Sequence, residues 1–492
     1  MRDTSIDAPE VILLHSNDIH SRLELAAKMA SYIAETRRTF GSDHVLALDI
    51  GDHMDRMRIE TEASDGLANI ALINAAGYEA VTLGNNEGLT FTTEQLDEAF
   101  GRQAKFRTVC ANMRYKVNGE KPDWLMPHTI IRKGSLNIGI IGVTAAFADF
   151  YQLLGWDVGE PLQAVAEQAE AIRQKVDVLV VMSHLGLILD RRMAETVPGI
   201  DLILGGHTHH LLVEPELIGR TCICAAGKFG DYIGRVEIRI DPLSSRPIIS
   251  ASCVPVAAYE EHPAAAAIIS GYQEAGVRRL SRVVTRLSAP LPARTERESP
   301  LGNLLAAGLR RWTDAEIGIV NAGQLLGGLA AGDVTAGDLH ALCPSPINPC
   351  RMKLSGAAVR FALEQSLLGE YIEKPIRGFG FRGSVLGTLA VDGLKIRWNP
   401  DSPPHGKIHS ITVNGEPFDN DRQYSVGTID MFTFGVGYET IKNGTDIRFF
   451  LPEFIRDVLA AELQDPAALA DCRRSRWNMT DAAAYGGDEQ GM

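Results

Sequence analysis

Seven short apolar runs between residues 11 and about 255 constrain this chain more than any other feature: VILLHSND, HVLALDIGD, AVTLGNNE, LNIGIIGV, DVLVVMSHLG, DLILGGHTHH and CICAAGKFGDY. They are rich in leucine and β-branched residues and bounded by glycine and polar turns. A near-continuous apolar strand buries both of its faces, which requires cover on each side of the sheet. Segments with helical spacing lie between the runs, ELAAKMASYIAETRRTF being the clearest. The alternation predicts an α/β layered domain.

Five of these runs end in side chains able to bind a metal. The ends are Asp18-Ile-His20, Gly51-Asp52, Gly84-Asn85, Ser183-His184 and Gly206-His207-Thr-His209. Open α/β sheets bind ligands beyond the carboxyl ends of their strands, so residues distant in sequence meet there. Glycine before Asp52, Asn85 and His207 allows a sharp exit from each strand. Imidazole, carboxylate and carboxamide without thiolate suit Mn, Zn, Fe, Co or Ni. Seven such groups exceed one tetrahedral ion and suffice for two ions about 3.5–4 Å apart that share a carboxylate.

The remainder of the chain divides by composition. HPAAAAIISGYQEAGVRRLSRVV is alanine-rich and helical, and SAPLPARTERESP is a proline-marked loop. The expected boundaries are a metal-binding domain over 1–255, a linker helix over 256–285, a second α/β domain over 286–463 and a mobile tail over 464–492. The net charge of −14, from 48 basic and 62 acidic residues, argues against general nucleic-acid or anionic-membrane binding. The start does not read as a signal peptide, and no apolar run reaches membrane-spanning length. The seven cysteines form no CxxC pair and read as reduced thiols. A cytoplasmic protein is the expectation.

LLHSNDIHS, DIGDH, TLGNNE, MSHLG and LGGHTHH resemble the ordered motifs of the calcineurin-like metallophosphoesterases, and the opening is especially similar to the 5′-nucleotidase and UDP-sugar hydrolase branch. ESPLGNLLAAGLRRWTDAEIGIVNAG resembles the nucleotide-binding C-terminal domain of that branch. GNNE and CPSPINPC point to a bacterial subgroup. The resemblance implies a four-layer α/β/β/α sandwich followed by a smaller α/β domain. It implies Asp18, His20, Asp52 and His209 around one ion, and Asp52, Asn85, His184 and His207 around the other. It also implies stacking of the base between Phe379 and Tyr438, with Asn321 in the substrate site.

Two positions depart from the family. Asn86 stands where the family usually has a catalytic histidine, and a carboxamide hydrogen-bonds without transferring a proton. Losing a general acid costs about 10²–10⁴-fold, so His53, beside Asp52, or His210, beside His209, is expected to take the role. Leu326 stands where the family has a substrate-binding arginine, which leaves Arg382, Arg377 or Arg351 to supply the charge. Arg22 reads as a solvated surface charge. The expected function is a metal-dependent phosphoester hydrolase, a 5′-nucleotidase releasing phosphate through a metal-bridging hydroxide. The alternatives are a phosphodiesterase or pyrophosphatase on cyclic nucleotides or UDP-sugars, and a nucleotide-binding pseudo-enzyme. The partner is a small-molecule nucleotide.

Overall fold

A computed structural model describes residues 9–480, which pack as two units, one up to Val277 and one from Arg278. The division falls within the helix Pro263–Leu280.

The first unit contains two facing sheets. One has the strand order Pro247–Pro255, Tyr232–Ile240, Val11–Ser16, Val45–Asp49, Ala80–Val81, Arg107–Val109, Leu125–Met126. The other runs Glu216–Ile218, Thr221–Cys224, Leu202–Gly205, Val178–His184, Leu136–Thr144, His128–Lys133. Val11–Ser16 is parallel to Val45–Asp49, and Val178–His184 is parallel to both of its neighbours.

Side-chain alternation separates the layers. Val178, Val180 and Met182 meet Leu13, Leu46 and Leu48 between the sheets. Leu179 and Val181 turn the other way, toward Val165, Ile172 and Met193 of the helices Pro161–Ile172 and Leu187–Thr196. The helix Leu23–Phe40 packs against Val45–Asp49 and the helix Leu67–Ala76, burying Ala27, Ala30 and Ile33. The result is the expected helix, sheet, sheet, helix sandwich. Val11–Ser16, Val45–Asp49, Val178–His184 and Leu202–Gly205 are buried at every position, which explains their unbroken apolar sequences.

The second unit is the smaller α/β domain. Its five-stranded sheet has the order Leu389–Asp392, Ile317–Asn321, Gln423–Ile429, Pro349–Ser355, Thr445–Phe449. The helix Pro300–Trp312 starts where Ser299 accepts the Gly302 amide and proline occupies the first turn. Its Leu301, Leu304, Leu305 and Leu309 pack into the same core as Ile317, Ile319 and Val426.

The segment expected to be a mobile tail is partly built into this unit. Pro466–Asp471 is helical, and Trp477–Met479 adds a parallel strand beside Leu394–Trp398. The buried Arg476 binds Asp392 at 2.9 Å and Asp471 at 2.6 Å. Residues 481–492 lie outside the described residues. Among the described residues no helix is long and apolar enough to cross a membrane.

Candidate active site

The candidate ligands occupy the loops at the carboxyl ends of the parallel strands, and those loops bond to one another. Asp18 N–H donates to the Gly51 carbonyl at 3.0 Å, His20 N–H to Asp52 at 2.9 Å and Gly206 N–H to Ser183 at 2.9 Å. The approach is close enough that a Cβ on Gly51 would strike the Gly84 main chain, and one on Gly84 the Asp52 carboxylate. Asp18, His20, Asp52, His207 and His209 all have left-handed φ, from 46° to 72°. Non-glycine residues persist in that region only where surrounding structure over-determines them.

The seven side chains expected as ligands come together. Ligand-capable atoms of Asp18, His20 and His209 lie within 4.8 Å of one another, as do those of Asp18, Asp52 and His184. His20 Nε2 faces His209 Nε2 at 3.1 Å. Asn85 Oδ1 lies 2.7 Å from His207 Nδ1, and the rings of His207 and His184 are 5.3 Å apart. Asp52 spans the cluster, with Oδ1 at 3.4 Å from His184 Nε2 and Oδ2 at 3.9 Å from His20 Nε2.

The electrostatics call for a cation. His184 Nδ1 donates to the Ile50 carbonyl at 2.8 Å, while its buried Nε2 has no hydrogen-bond partner. Burial opposes a proton on His184, yet Asp52 and Asp18 overcome it and lift the imidazole to about 10. Burial likewise acts to raise Asp52, but His184 beside it holds that carboxyl below the usual range. Burial raises Asp18. Two buried carboxylates and an unpartnered ring nitrogen thus draw positive charge to one place. Four imidazoles, two carboxylates and a carboxamide, with no thiolate, fit a divalent cation.

The other expected residues are placed differently. His53 is buried among Ser21, Thr61 and Asn69, and its Nδ1 lies 3.1 Å from Asn69 Nδ2. Burial drops it to about 4, so it is neutral at ordinary pH and unsuited to donate a proton. His210 Nδ1 lies 2.8 Å from Thr208 Oγ1 in an exposed pair. In the second unit Asn321 is fully buried, donating to the Leu386 carbonyl at 2.8 Å and accepting from Gln324 at 3.1 Å. That makes it a brace for its loop rather than a substrate contact.

Tyr438 needs a similar correction. It is 1% exposed, its hydroxyl donates to Gly387 at 2.6 Å, and its ring stacks on Tyr371. The exposed partner of Phe379 is Phe434, with ring centroids 5.8 Å apart and exposures of 53% and 43%. Arg382 donates to the Phe381 carbonyl at 3.2 Å, and Arg351 to the Thr313 and Asp314 carbonyls at 3.1 and 3.2 Å. Arg377 and Leu326 are exposed.

Several residues in and around the site escape a strand-end reading. Buried Glu87 accepts main-chain N–H bonds from Asp52 and Met54 at 2.9 Å and Gly84 at 2.8 Å, tying two ligand loops together. Asn17 donates to Asp18 at 2.8 Å and Gly227 at 2.6 Å, and accepts from Ala226 at 3.0 Å. Glu87, flanked by Asn86 and Gly88, has no local signal that separates it from a surface carboxylate. Arg22 is not simply solvated, since its guanidinium lies 5.0 Å over the Phe229 ring and Lys228 Nζ lies 4.5 Å from it. Phe229 in turn sets its edge against His20, with centroids 5.8 Å apart.

Comparisons with known proteins agree with this architecture. Residues 12–211 match the family profile described as calcineurin-like phosphoesterase, and residues 282–443 match 5′-nucleotidase, C-terminal domain. The chain is 36% identical to the uncharacterized metallophosphoesterase YunD of Bacillus subtilis, covering 92% of this chain and 98% of that one. It is 25% identical to a snake venom 5′-nucleotidase of Naja atra over 82% and 84% of the two chains. The NAD nucleotidase of Haemophilus influenzae shares the fold, with a TM-score of 0.66 at 16% identity over 96% and 99% of the chains. The chain therefore belongs to the calcineurin-like phosphoesterase family, metal-dependent phosphoester hydrolases, and carries a 5′-nucleotidase C-terminal domain.

Proposed function

We propose that the chain is a dinuclear 5′-nucleotidase that hydrolyses nucleoside 5′-monophosphates to nucleoside and phosphate. The observation that carries this is the buried, unpartnered His184 Nε2 facing Asp52, beside the opposed Nε2 atoms of His20 and His209. Asp18, His20 and His209 would hold one cation, and His184, His207 and Asn85 the other, with Asp52 reaching both. Mn, Zn, Fe, Co and Ni all suit that donor set. When bound, such a pair neutralises phosphoryl charge and activates water.

The chain's own groups do the rest. Asn17 and the His207 amide hold the Asp18 carboxylate, at 2.8 Å and at 3.0–3.1 Å. Arg22 and Lys228, gathered on Phe229 beside His20 and without an ion pair among the described residues, supply fixed positive charge within the first unit. Phe379 and Phe434 offer exposed aromatic faces to a base, a contact that tolerates many bases. All seven cysteines are free, which suits a reducing compartment such as the cytoplasm.

A second reading, a phosphoanhydride or diester substrate, is favoured by the carboxamide at Asn86, since more acidic leaving groups need no proton donor. One panel separates the two. Protein reconstituted with Mn²⁺ is given nucleoside 5′-monophosphates, cyclic nucleotides and UDP-sugars, and nucleoside, phosphate, nucleoside monophosphate and sugar phosphate are all measured. Hydrolysis confined to the latter two classes would reject the 5′-nucleotidase assignment.

A further inference from the structure

Arg22 and Lys228 come from distant parts of the chain and meet at one ring. Arg22 stands directly before the helix Leu23–Phe40, and Lys228 lies in the loop after the strand Thr221–Cys224. The Arg22 guanidinium carbon is 5.0 Å and Lys228 Nζ 4.5 Å from the Phe229 centroid. Among the described residues neither side chain has a carboxylate partner or donates a hydrogen bond. Glu24, the carboxylate nearest to Arg22 in sequence, pairs with Arg58 at 3.5 Å instead. Two like charges brought together in a chain of net charge −14 repel one another, and an anion between them would relieve that repulsion.

The ring that gathers them is held at a cost. Phe229 takes a left-handed φ of 63°, which a bulky side chain adopts only where its surroundings impose it. Its N–H donates to the Asp18 carbonyl at 2.7 Å, and the Gly227 carbonyl accepts Asn17 Nδ2 at 2.6 Å, so the loop is tied to a ligand loop. The ring edge meets His20, with centroids 5.8 Å apart. His209, which faces His20, has a side chain 34% exposed, so this half of the cluster is open to solvent. A guanidinium held against a ring keeps N–H donors for another partner, and its fork matches phosphate oxygens.

We propose that Arg22 and Lys228, presented by Phe229, form a seat for a second phosphate of the substrate, beside the phosphate that is attacked. The preferred substrate is then a nucleotide carrying two phosphates, either joined as an anhydride or borne as separate esters. The proposal rests on the reading of the neighbouring cluster as the site of phosphoester hydrolysis. In that reaction the oxygen of water bonds to the attacked phosphorus and its proton passes to solvent. The bond from that phosphorus to the leaving oxygen breaks, and the leaving oxygen keeps the electron pair. In a 5′-diphosphate the leaving oxygen belongs to the second phosphate, whose new charge Arg22 and Lys228 neutralise. In a 3′,5′-bisphosphate the second phosphate takes no part in bond breaking, and the pair anchors it.

The test uses the full chain in excess Mn²⁺ and two probes that resist hydrolysis, methylphosphonate with one anionic group and methylenediphosphonate with two. Their affinities are measured by titration calorimetry in wild type, Arg22→Gln and Lys228→Gln. Wild type is expected to bind the two-group probe about tenfold more tightly or better, and each variant to lose about tenfold of that ratio. An unchanged ratio in both variants, or a wild type that does not distinguish the probes, would overturn the proposal. The second readout is kcat/KM for the 5′-monophosphate, 5′-diphosphate and 3′,5′-bisphosphate of one nucleoside. The diphosphate or the bisphosphate is expected to lead by about tenfold, with the lead shrinking in both variants. Which of them leads tells an anhydride from a second ester, and a leading monophosphate would overturn the proposal. A chain that distinguishes the probes through Arg22 and Lys228 yet turns over none of the three nucleotides would reject the 5′-nucleotidase reading and leave the anion seat standing.

Discussion

The two units hold their candidate functional side chains by opposite means. In the first, Asp18 and His184 are fully buried and fixed by neighbouring loops, so their charges face one another in a desolvated cluster. In the second, Phe379 and Phe434 stand on the surface, the former at a left-handed φ of 54°. The difference follows from the interactions at stake. Charge gains strength when water is excluded and geometry is preset. An aromatic face gains most when the ligand itself removes water from it. The first unit is therefore expected to govern turnover, and the second to govern which substrate is retained.

The largest expected effect lies in the first unit. Asp52→Asn weakens the group that reaches both halves of the cluster, and His184→Ala removes a donor of one half. Each is expected to lower kcat by about 10³-fold or more, with reduced metal content by elemental analysis. Retained metal and turnover in Asp52→Asn would break the comparison at its root.

A pH dependence sharpens the same contrast. His184 is lifted to about 10, so at neutral pH it holds a proton that a cation at Nε2 must displace. Raising the pH removes that competing proton, and Mn²⁺ affinity should rise about tenfold per unit between pH 7 and 9. Calorimetry in buffers of different ionisation enthalpy should report release of the proton. The effect should vanish in His184→Ala. Base binding by the second unit should be insensitive to pH over this range.

How much of this is readable from the chain differs between the units for the same reason. The layered sandwich and the convergence of strand ends follow from short apolar runs that stop at Asp, Asn or His, because parallel strands all deliver their carboxyl ends to one edge. Nothing comparable distinguishes a core aromatic from an exposed one. The glycines around Tyr438 suggested an open loop, yet Gly435 and Gly437, at φ 77° and 97°, give the chain the freedom to turn the tyrosine inward and leave Phe434 outside. The segment after 464 has few apolar residues and reads as mobile. Its order comes instead from Arg476, buried between the neighbouring Asp471 and Asp392, and the second of these partners is too distant in sequence to be seen beforehand. His53 and Asn321 were misplaced because a polar residue beside a functional one is as often a brace as a participant.

The aromatic pair in the second unit should produce the next effect. Stacking on a base contributes roughly 1–3 kcal/mol per ring, so Phe379→Ala and Phe434→Ala should each raise KM for a nucleotide by about 5–150-fold. Their kcat should change little. With p-nitrophenyl phosphate, which has no base, both variants should match wild type. A change that appears equally with both substrates would place these rings in the fold rather than at the ligand.

The smallest effect falls on Tyr438, and it discriminates most finely. Its hydroxyl donates to the Gly387 carbonyl at 2.6 Å, and its ring lies in the core against Tyr371 and Phe432. Tyr438→Phe keeps the ring and removes the donor, at a cost of about 1 kcal/mol in stability. For a unit of this size that lowers the melting temperature by about 2–4 °C. Because the ring is sealed from solvent, KM for nucleotides should stay unchanged. A raised KM with an unchanged melting temperature would return Tyr438 to the ligand and Phe434 to the surface, reversing the assignment of exposed and buried aromatics on which the contrast between the units depends.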